Sequence, residues 1–214
     1  MGAYLLGSIP TGYLVARAKG IDIRSVGSGN IGATNVFRIL GKPAGIFVLM
    51  MDALKGFLAV TLILNFYHEL SDVLPNLFSP EIISHPDLRM RYGITAGFAA
   101  ILGHNYTCFL KFKGGKGIAT TAGVLIALAP SAFLVVLCIF ILVVALSRYI
   151  SLGSITAAFC LPFAVWFFNG SKTMVIVMAA LGALAIYKHK ANIGRLLNGT
   201  ENRFGKKKTP EVPK

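Results

Sequence analysis

This sequence predicts an all-α, polytopic integral membrane protein of seven transmembrane helices, with its N-terminus outside and its C-terminus in the cytoplasm. Three observations predict it. Of the 214 residues, 55% are hydrophobic and only 14% charged, and mean hydropathy is +0.70. Apolar runs recur near the length of about 20 residues that crosses a bilayer. The basic residues gather in alternate connections, the mark of the positive-inside rule. No stretch looks like a soluble module or an interdomain linker. Residues 1–203 therefore read as one membrane domain, followed by a basic, proline-containing tail, 204–214, expected to be disordered.

The apolar segments fall at about 2–17, 43–66, 93–110, 117–130, 131–148, 151–168 and 172–188. The first is short, and its basic residues follow it. A secretory signal carries them in front, so this segment reads as a retained helix entered from outside. The fourth is also short and ends at "APSA", where Pro130 predicts a tight hairpin into the fifth. Pro75, Pro80 and Pro86 in the connection 67–92 limit long helices there.

Charge fixes the orientation. With the C-terminus inside, 17 Lys and Arg residues lie on the cytoplasmic side, from Arg17 to Lys214. Only Arg89, Arg91 and Lys172 lie outside, and Lys55 stands within the second span. The outer connection instead carries Glu69, Asp72, Glu81 and Asp87. Six or eight spans would put a basic set on the wrong side.

The net charge of +13 would suggest nucleic acid in a soluble protein. Here the cations sit in short loops between spans, so no nucleic-acid partner is expected. Anionic headgroups and anionic substrates are the natural partners. Cys108, Cys138 and Cys160 show no metal or disulfide spacing and read as small buried hydrophobes. No metal site or cofactor is expected.

Three polar segments share the cytoplasmic side. The first, "GSGNIGATNVFR", runs from Gly27 to Arg38. Gly27, Gly29 and Gly32 match G-x-G-x-x-G, but a dinucleotide fold needs a strand before it, and a membrane helix follows instead. What remains is a glycine-bent backbone. Ser28, Asn30, Thr34 and Asn35 add uncharged hydrogen-bonding groups, and Arg38 adds a fork for phosphate or carboxylate.

The second, "KFKGGKGIAT", is not a Walker A loop, because Leu110 stands where its first glycine belongs and Gly117 follows Lys116. The chemistry is related. Gly114, Gly115 and Gly117 permit turns that aim N–H groups at an anion. A helix starting near Ile118 presents its positive end, and Lys113 and Lys116 supply point charges. His104 precedes this loop. Phosphate binding explains both the glycines and the lysines, whereas positive-inside charge explains only the lysines.

The third, "HKANIGRLLNGTENR", starts at His189. On a helix, His189 and Asn192 share a face, Arg195 sits on the neighbouring face, and Gly199 ends the helix. Glu201 reads as a cap or as a partner for an arginine. Asp52 and Lys55, three apart in the second span, read either as a mutual ion pair or as a pair that lends Lys55 to the pocket.

Together the three segments resemble the signature motifs of the bacterial acyl-phosphate:glycerol-3-phosphate acyltransferases, the PlsY family, in order, spacing and span count. Thr107 stands where members often have proline, and the connection 67–92 looks longer than usual. The resemblance implies transfer of an acyl group from acyl phosphate to the 1-hydroxyl of glycerol 3-phosphate, the first acylation of phospholipid synthesis, giving lysophosphatidic acid and inorganic phosphate. It implies the bacterial cytoplasmic membrane, an active site facing the cytoplasm, and the soluble enzyme that makes acyl phosphate as a partner. Ser28, Arg38, His189 and Asn192 become the expected catalytic residues. Gly27, Gly29, Asn30, Thr34, Asn35, Lys55, His104, Lys113, Gly114, Gly115, Lys116, Gly117 and Arg195 become the expected substrate-binding residues.

The chemistry agrees. Two phosphorylated substrates and a lipid chain require basic loops at a membrane face. The His-x(4)-Asp motif of other glycerolipid acyltransferases is absent. A mixed anhydride needs less activation than a thioester, so positioning and charge stabilisation can carry the reaction. The attacking hydroxyl loses its proton to His189 or to a substrate phosphate oxygen, and the resemblance points to the phosphate. The competing reading is a transporter of a phosphorylated solute, which predicts polar residues near the membrane midplane; little beyond Asp52 and Lys55 lies there.

Overall fold

The computed structural model describes residues 1–73, 86–169 and 171–205. Residues 74–85 of the connection 67–92 and the tail beyond Gly205 lie outside the described residues. The described residues hold ten α-helices and a single 3-10 turn. The helices are α1 (Gly2–Ser8), α2 (Thr11–Arg17), α3 (Ala33–Leu40), α4 (Lys42–Val73), α5 (Pro86–Asn105), α6 (Ile118–Leu128), α7 (Pro130–Ser147), α8 (Ile150–Asn169), α9 (Lys172–Lys188) and α10 (Lys190–Leu197). The apolar segments expected from the sequence are helical over most of their length, with breaks in the first and third. Three helices are long and apolar enough to cross a membrane alone: Lys42–Phe66, Pro130–Ser147 and Ile150–Phe168. A fourth span results if α9 and α10, bent by 56°, count as one.

The expected first span is not one helix. Pro10 has no N–H to donate and excludes helical geometry at the residue before it. Ile9 is accordingly extended, with φ −55° and ψ 113°. Side chains take up the carbonyls released by this break. Lys55 Nζ donates to the Ile9 oxygen at 2.9 Å, and Thr107 Oγ1 donates to the Ser8 oxygen at 2.6 Å. The third span also differs. Pro86 opens α5 instead of interrupting it, because proline is tolerated in a first turn. The helix ends at Asn105, five residues early, and a 3-10 turn over Cys108–Leu110 follows.

The chain divides into two units, residues 1–10 with 49–130 and residues 11–48 with 131–214. In the first, helices meet through small residues. The Cα of Gly7 lies against Ala100, that of Gly103 against Tyr4, and that of Gly123 against Ala53. Close backbone approach of this kind is how helices gain packing where lipid removes the hydrophobic drive. In the second unit α8 packs on α9, with Gly182 against Ala158.

The apolar surface is turned outward as a membrane requires. Only 11% of the Pro130–Ser147 span is buried within the protein, and Leu146 and Phe167 are 79% and 81% exposed. This corrects one expectation: Cys108, in the 3-10 turn, and Cys138 are exposed and Cys160 half-buried; Cys138 and Cys160 stand on α7 and α8, where outward-facing positions meet lipid.

Candidate active site

The first segment is built around one amide. Asn35, on α3, is 1% exposed. Its Oδ1 accepts from the Ser28 N–H at 2.9 Å. Its Nδ2 donates to the carbonyls of Ile23, Val26 and Asn30 at 3.2, 3.1 and 3.0 Å. One buried side chain thus ties both limbs of the loop to the helix. Asn30 Oδ1 adds an internal bond from the Gly32 N–H at 2.8 Å. Gly27 has φ +62°, and a Cβ there would run into Asn35 Oδ1, so the position requires glycine twice over. The result is an exposed Ser28 on a fixed backbone. Thr34 and Arg38, one turn apart on α3, are exposed as well. Asn30 and Asn35, expected to touch substrate, have these internal partners.

A second support was not foreseen. Asp22 accepts from the Arg24 Nε and N–H at 2.9 and 3.0 Å, and the arginine lies 4.8 Å from the Tyr13 ring centre. The Arg24 side chain and backbone N–H hold the Asp22 carboxyl down to about 2. Two opposite charges two residues apart at the loop entrance were the available signal.

The third segment turns on His189, the hinge between α9 and α10. The ring is 3% exposed, and its Nδ1 lies 2.7 Å from the Ala185 carbonyl oxygen. A carbonyl only accepts, so Nδ1 carries the proton and Nε2 is the basic nitrogen of the neutral ring. Asn192 follows in the first turn of α10. Gly199, φ +67°, reverses the chain and brings Glu201 back onto that helix. Glu201 Oε1 accepts from Asn192 Nδ2 at 2.8 Å and Ser151 Oγ at 3.0 Å, and Oε2 accepts from Arg195 Nε at 2.6 Å. Burial pushes the Glu201 carboxyl up, but the bonds from Asn192, Arg195 and Ser151 outweigh it and hold it below the usual range. Glu201 is the only acid between Asp87 and the tail, which was the sequence signal for its importance.

The first and third segments meet in the second unit. The Phe204 ring centre lies 6.0 Å from that of Phe37, and the Phe204 N–H donates to the Arg148 carbonyl at 2.7 Å. Arg38 lies within electrostatic reach of both Glu201 and Arg195. Partial desolvation by its neighbours lowers its pKa, with Glu201 opposing and Arg195 adding; an arginine guanidinium remains protonated at neutral pH.

The second segment stands in the first unit. Thr107 Oγ1 accepts from the Phe109 N–H and so caps the 3-10 turn. Lys111 and Phe112 are left-handed, with φ +53° and +60°. Gly114 and Gly115 donate their N–H groups to the carbonyls of Asn105 and His104 at 3.2 and 2.9 Å. These two amides were expected to face an anion, and the structure turns them inward. Gly117, φ +80°, then caps α6, leaving the N-terminal turn of α6 and the side chains of Lys113 and Lys116 as the anion-seeking groups. Asp52 and Lys55, both buried, form an ion pair at 2.7 Å, and His104 Nδ1 lies 3.6 Å from the same Asp52 oxygen.

Comparison with known proteins shows the family. The model of a family described as glycerol-3-phosphate acyltransferase matches residues 1–199. A glycerol-3-phosphate acyltransferase of Geotalea daltonii is 46% identical over 204 residues, 95% of each chain. One of Fusobacterium nucleatum is 41% identical over 94% of each. Among solved structures, the integral membrane glycerol 3-phosphate acyltransferase PlsY (YgiH) is similar in its glycerol 3-phosphate form, with TM-score 0.78 and 41% identity over 95% of this chain and 92% of that one. Its lysophosphatidic acid form gives 0.75 and 40% with the same coverage. With a match across nearly its whole length, this chain belongs to the glycerol-3-phosphate acyltransferase family.

Proposed function

We propose that this protein transfers a fatty acyl group from acyl phosphate to the 1-hydroxyl of glycerol 3-phosphate, releasing lysophosphatidic acid and inorganic phosphate. The observation that carries the reading is the convergence in one unit of an exposed Ser28 on a fixed loop, the charged Arg38, and Asn192 and Arg195 held by Glu201. Family membership supplies the acceptor. The acyl-phosphate donor rests on the resemblance of the three polar segments to the acyl-phosphate-dependent family, and it suits a site built for positioning, because a mixed anhydride needs less activation than a thioester.

In this mechanism Arg38 neutralises charge on a substrate phosphate or on the leaving group. Ser28 hydrogen-bonds near the acyl carbonyl. His189, with Nε2 as its basic nitrogen, and Asn192 orient the glycerol hydroxyl. The proton of that hydroxyl passes to a phosphate oxygen of the substrate. Lys113, Lys116 and the start of α6 hold the phosphate of glycerol 3-phosphate.

The chain forms one membrane domain over 1–203 and spans the bacterial cytoplasmic membrane seven times, N-terminus outside, with the site facing the cytoplasm. The basic residues support this, 17 against 3 across the alternating connections. The soluble enzyme that forms acyl phosphate is the partner that supplies the donor.

The test is direct. Purified protein in lipidic phase is mixed with palmitoyl phosphate and glycerol 3-phosphate, without metal or coenzyme A. Equal release of phosphate and lysophosphatidic acid, lost in Ser28→Ala and Arg38→Ala, supports the transferase. Absence of product from a folded protein moves the weight to transport of a phosphorylated solute.

A further inference from the structure

Asp52 is a carboxylate buried in a membrane helix, and the reaction proposed above gives it no part. Its surroundings give it one. The same Oδ1 faces two cationic or basic groups, Lys55 Nζ at 2.7 Å and His104 Nδ1 at 3.6 Å. All three side chains are buried, at 3%, 5% and 5% exposure. The opposite edge of the imidazole supports the glycine loop. A Cβ placed on Gly115 would collide with His104 Nε2, so the ring lies flush against the Gly115 Cα. The backbone at the same place is doubly tied, Gly115 N–H to the His104 carbonyl and Gly114 N–H to the Asn105 carbonyl. The next residue is Lys116. One continuous line of contact therefore runs from a charge on α4, through one ring, to the peptide that carries the loop lysine.

We infer that Asp52 is a positioning residue, which fixes the His104 ring beneath Gly115 and thereby sets where Lys116 meets the phosphate of glycerol 3-phosphate. The physical reason is orientation. A carboxylate beside Nδ1 favours a proton on that nitrogen and resists rotation of the ring, because a flip would put a carbon edge against the charge. A ring free to rotate would press on Gly115 or leave a gap beneath it. Displacement of a binding group by about 1 Å is enough to cost a large factor in rate or affinity. The requirement for glycine at 115 has the same origin, since any side chain would take the place of the ring. The 3.6 Å separation is an ion-pair distance and longer than a hydrogen bond, so the influence is one of charge on orientation. Asp52 touches no substrate in this account.

The inference rests on the reading of the 113–117 loop as the holder of glycerol 3-phosphate, and the experiment separates the two. The KM for each substrate, and kcat, are measured for wild type, Lys116→Ala, Asp52→Asn, His104→Gln and the Asp52→Asn/His104→Gln pair. Lys116→Ala tests the loop alone: a KM for glycerol 3-phosphate that stays at the wild-type value removes the loop reading. If that KM rises, Asp52→Asn and His104→Gln are each expected to raise the same KM by about tenfold. The KM for palmitoyl phosphate and kcat stay within about twofold. The double variant is expected to match the single ones, because both break one line of contact. Multiplying effects in the double variant would overturn the inference, as would an effect confined to kcat. If Asp52→Asn does not fold, His104→Gln decides alone: a wild-type KM for glycerol 3-phosphate in that variant, with Lys116→Ala impaired, overturns it.

Discussion

Arg195 Nε donates to Glu201 Oε2 at 2.6 Å, the shortest link in a cluster that also ties Asn192 and Ser151 to the other oxygen of the same carboxylate. The loop after α10 thus returns to order the helix it leaves. Glu201 touches the residues proposed to hold substrate, so it acts on the reaction through them.

Replacing Glu201 by Gln keeps one accepting oxygen and loses the charge. Hydrogen bonds to charged groups contribute about 1.5–3 kcal/mol each. The Arg195 side chain is 32% exposed, so solvent screening pulls its share toward the low end. Glu201→Gln is therefore expected to destabilise by about 1–3 kcal/mol and to lower kcat. Unfolding in mixed micelles and steady-state kinetics measure both. An unchanged midpoint would remove the cluster from the account of stability.

The same carboxylate carries a pH signature. Its folded pKa lies below its ordinary value of 4.5. Below 4.5 the unfolded chain therefore binds more protons than the native one. The contribution of Glu201 is complete above that value and is lost as pH falls through the lowered folded pKa. The stability difference between wild type and Glu201→Gln should be flat near neutrality and shrink in acid below about pH 4. A difference that grew in acid would mean the pKa is raised in the native state.

Asn35 makes a sharper case for a buried amide. Asn35→Ala removes the acceptor of the Ser28 N–H and the donor to three carbonyls; the buried Ile23 carbonyl left unpaired costs about 1–3 kcal/mol and the part-buried groups less. The loop 22–32 should exchange amide hydrogens faster, and kcat should fall at least about tenfold as Ser28 loses its fixed backbone. Hydrogen exchange of that loop, unchanged in the variant, would separate Asn35 from Ser28.

Ser28→Ala leaves the loop intact, because the loop is tied through the Ser28 backbone and not its hydroxyl. Activity should fall by about 100-fold or more, the loss typical of a hydrogen-bond donor acting on the reacting centre, while the melting midpoint stays put. Near-normal turnover would sink the role of Ser28.

These cases show what the sequence makes legible. Helical segments were readable because apolar runs and alternate basic connections are averages over many residues. Single residues were harder. Pro10 stood in plain sight, yet its effect depended on Lys55 and Thr107 being there to take the freed carbonyls, a matter of tertiary contact. Asn35 was recognisable as a polar group in a glycine-rich loop, but nothing in the chain tells whether an amide points at a ligand or at its own backbone. Gly114 and Gly115 illustrate the same limit. Glycine signals either conformational freedom or close approach, and here the carbonyls of residues 104 and 105 and the His104 ring make it close approach.

Lys55 gives the clearest choice between a structural and a substrate-binding role. It is 5% exposed, paired with Asp52 at 2.7 Å, and donates to the Ile9 carbonyl at the helix break. Removing one member of a buried pair leaves an uncompensated charge, at a cost of about 3–5 kcal/mol. Lys55→Met would also orphan the Ile9 oxygen. It should therefore unfold at markedly lower denaturant, whereas Lys55→Met/Asp52→Asn, with no charge left over, should recover most of the loss. If Lys55 instead binds substrate, Lys55→Met keeps its stability and raises a KM, and the double variant does not restore it. Unfolding midpoints of both variants, with the KM of the double variant compared with that of Asp52→Asn alone, distinguish these outcomes.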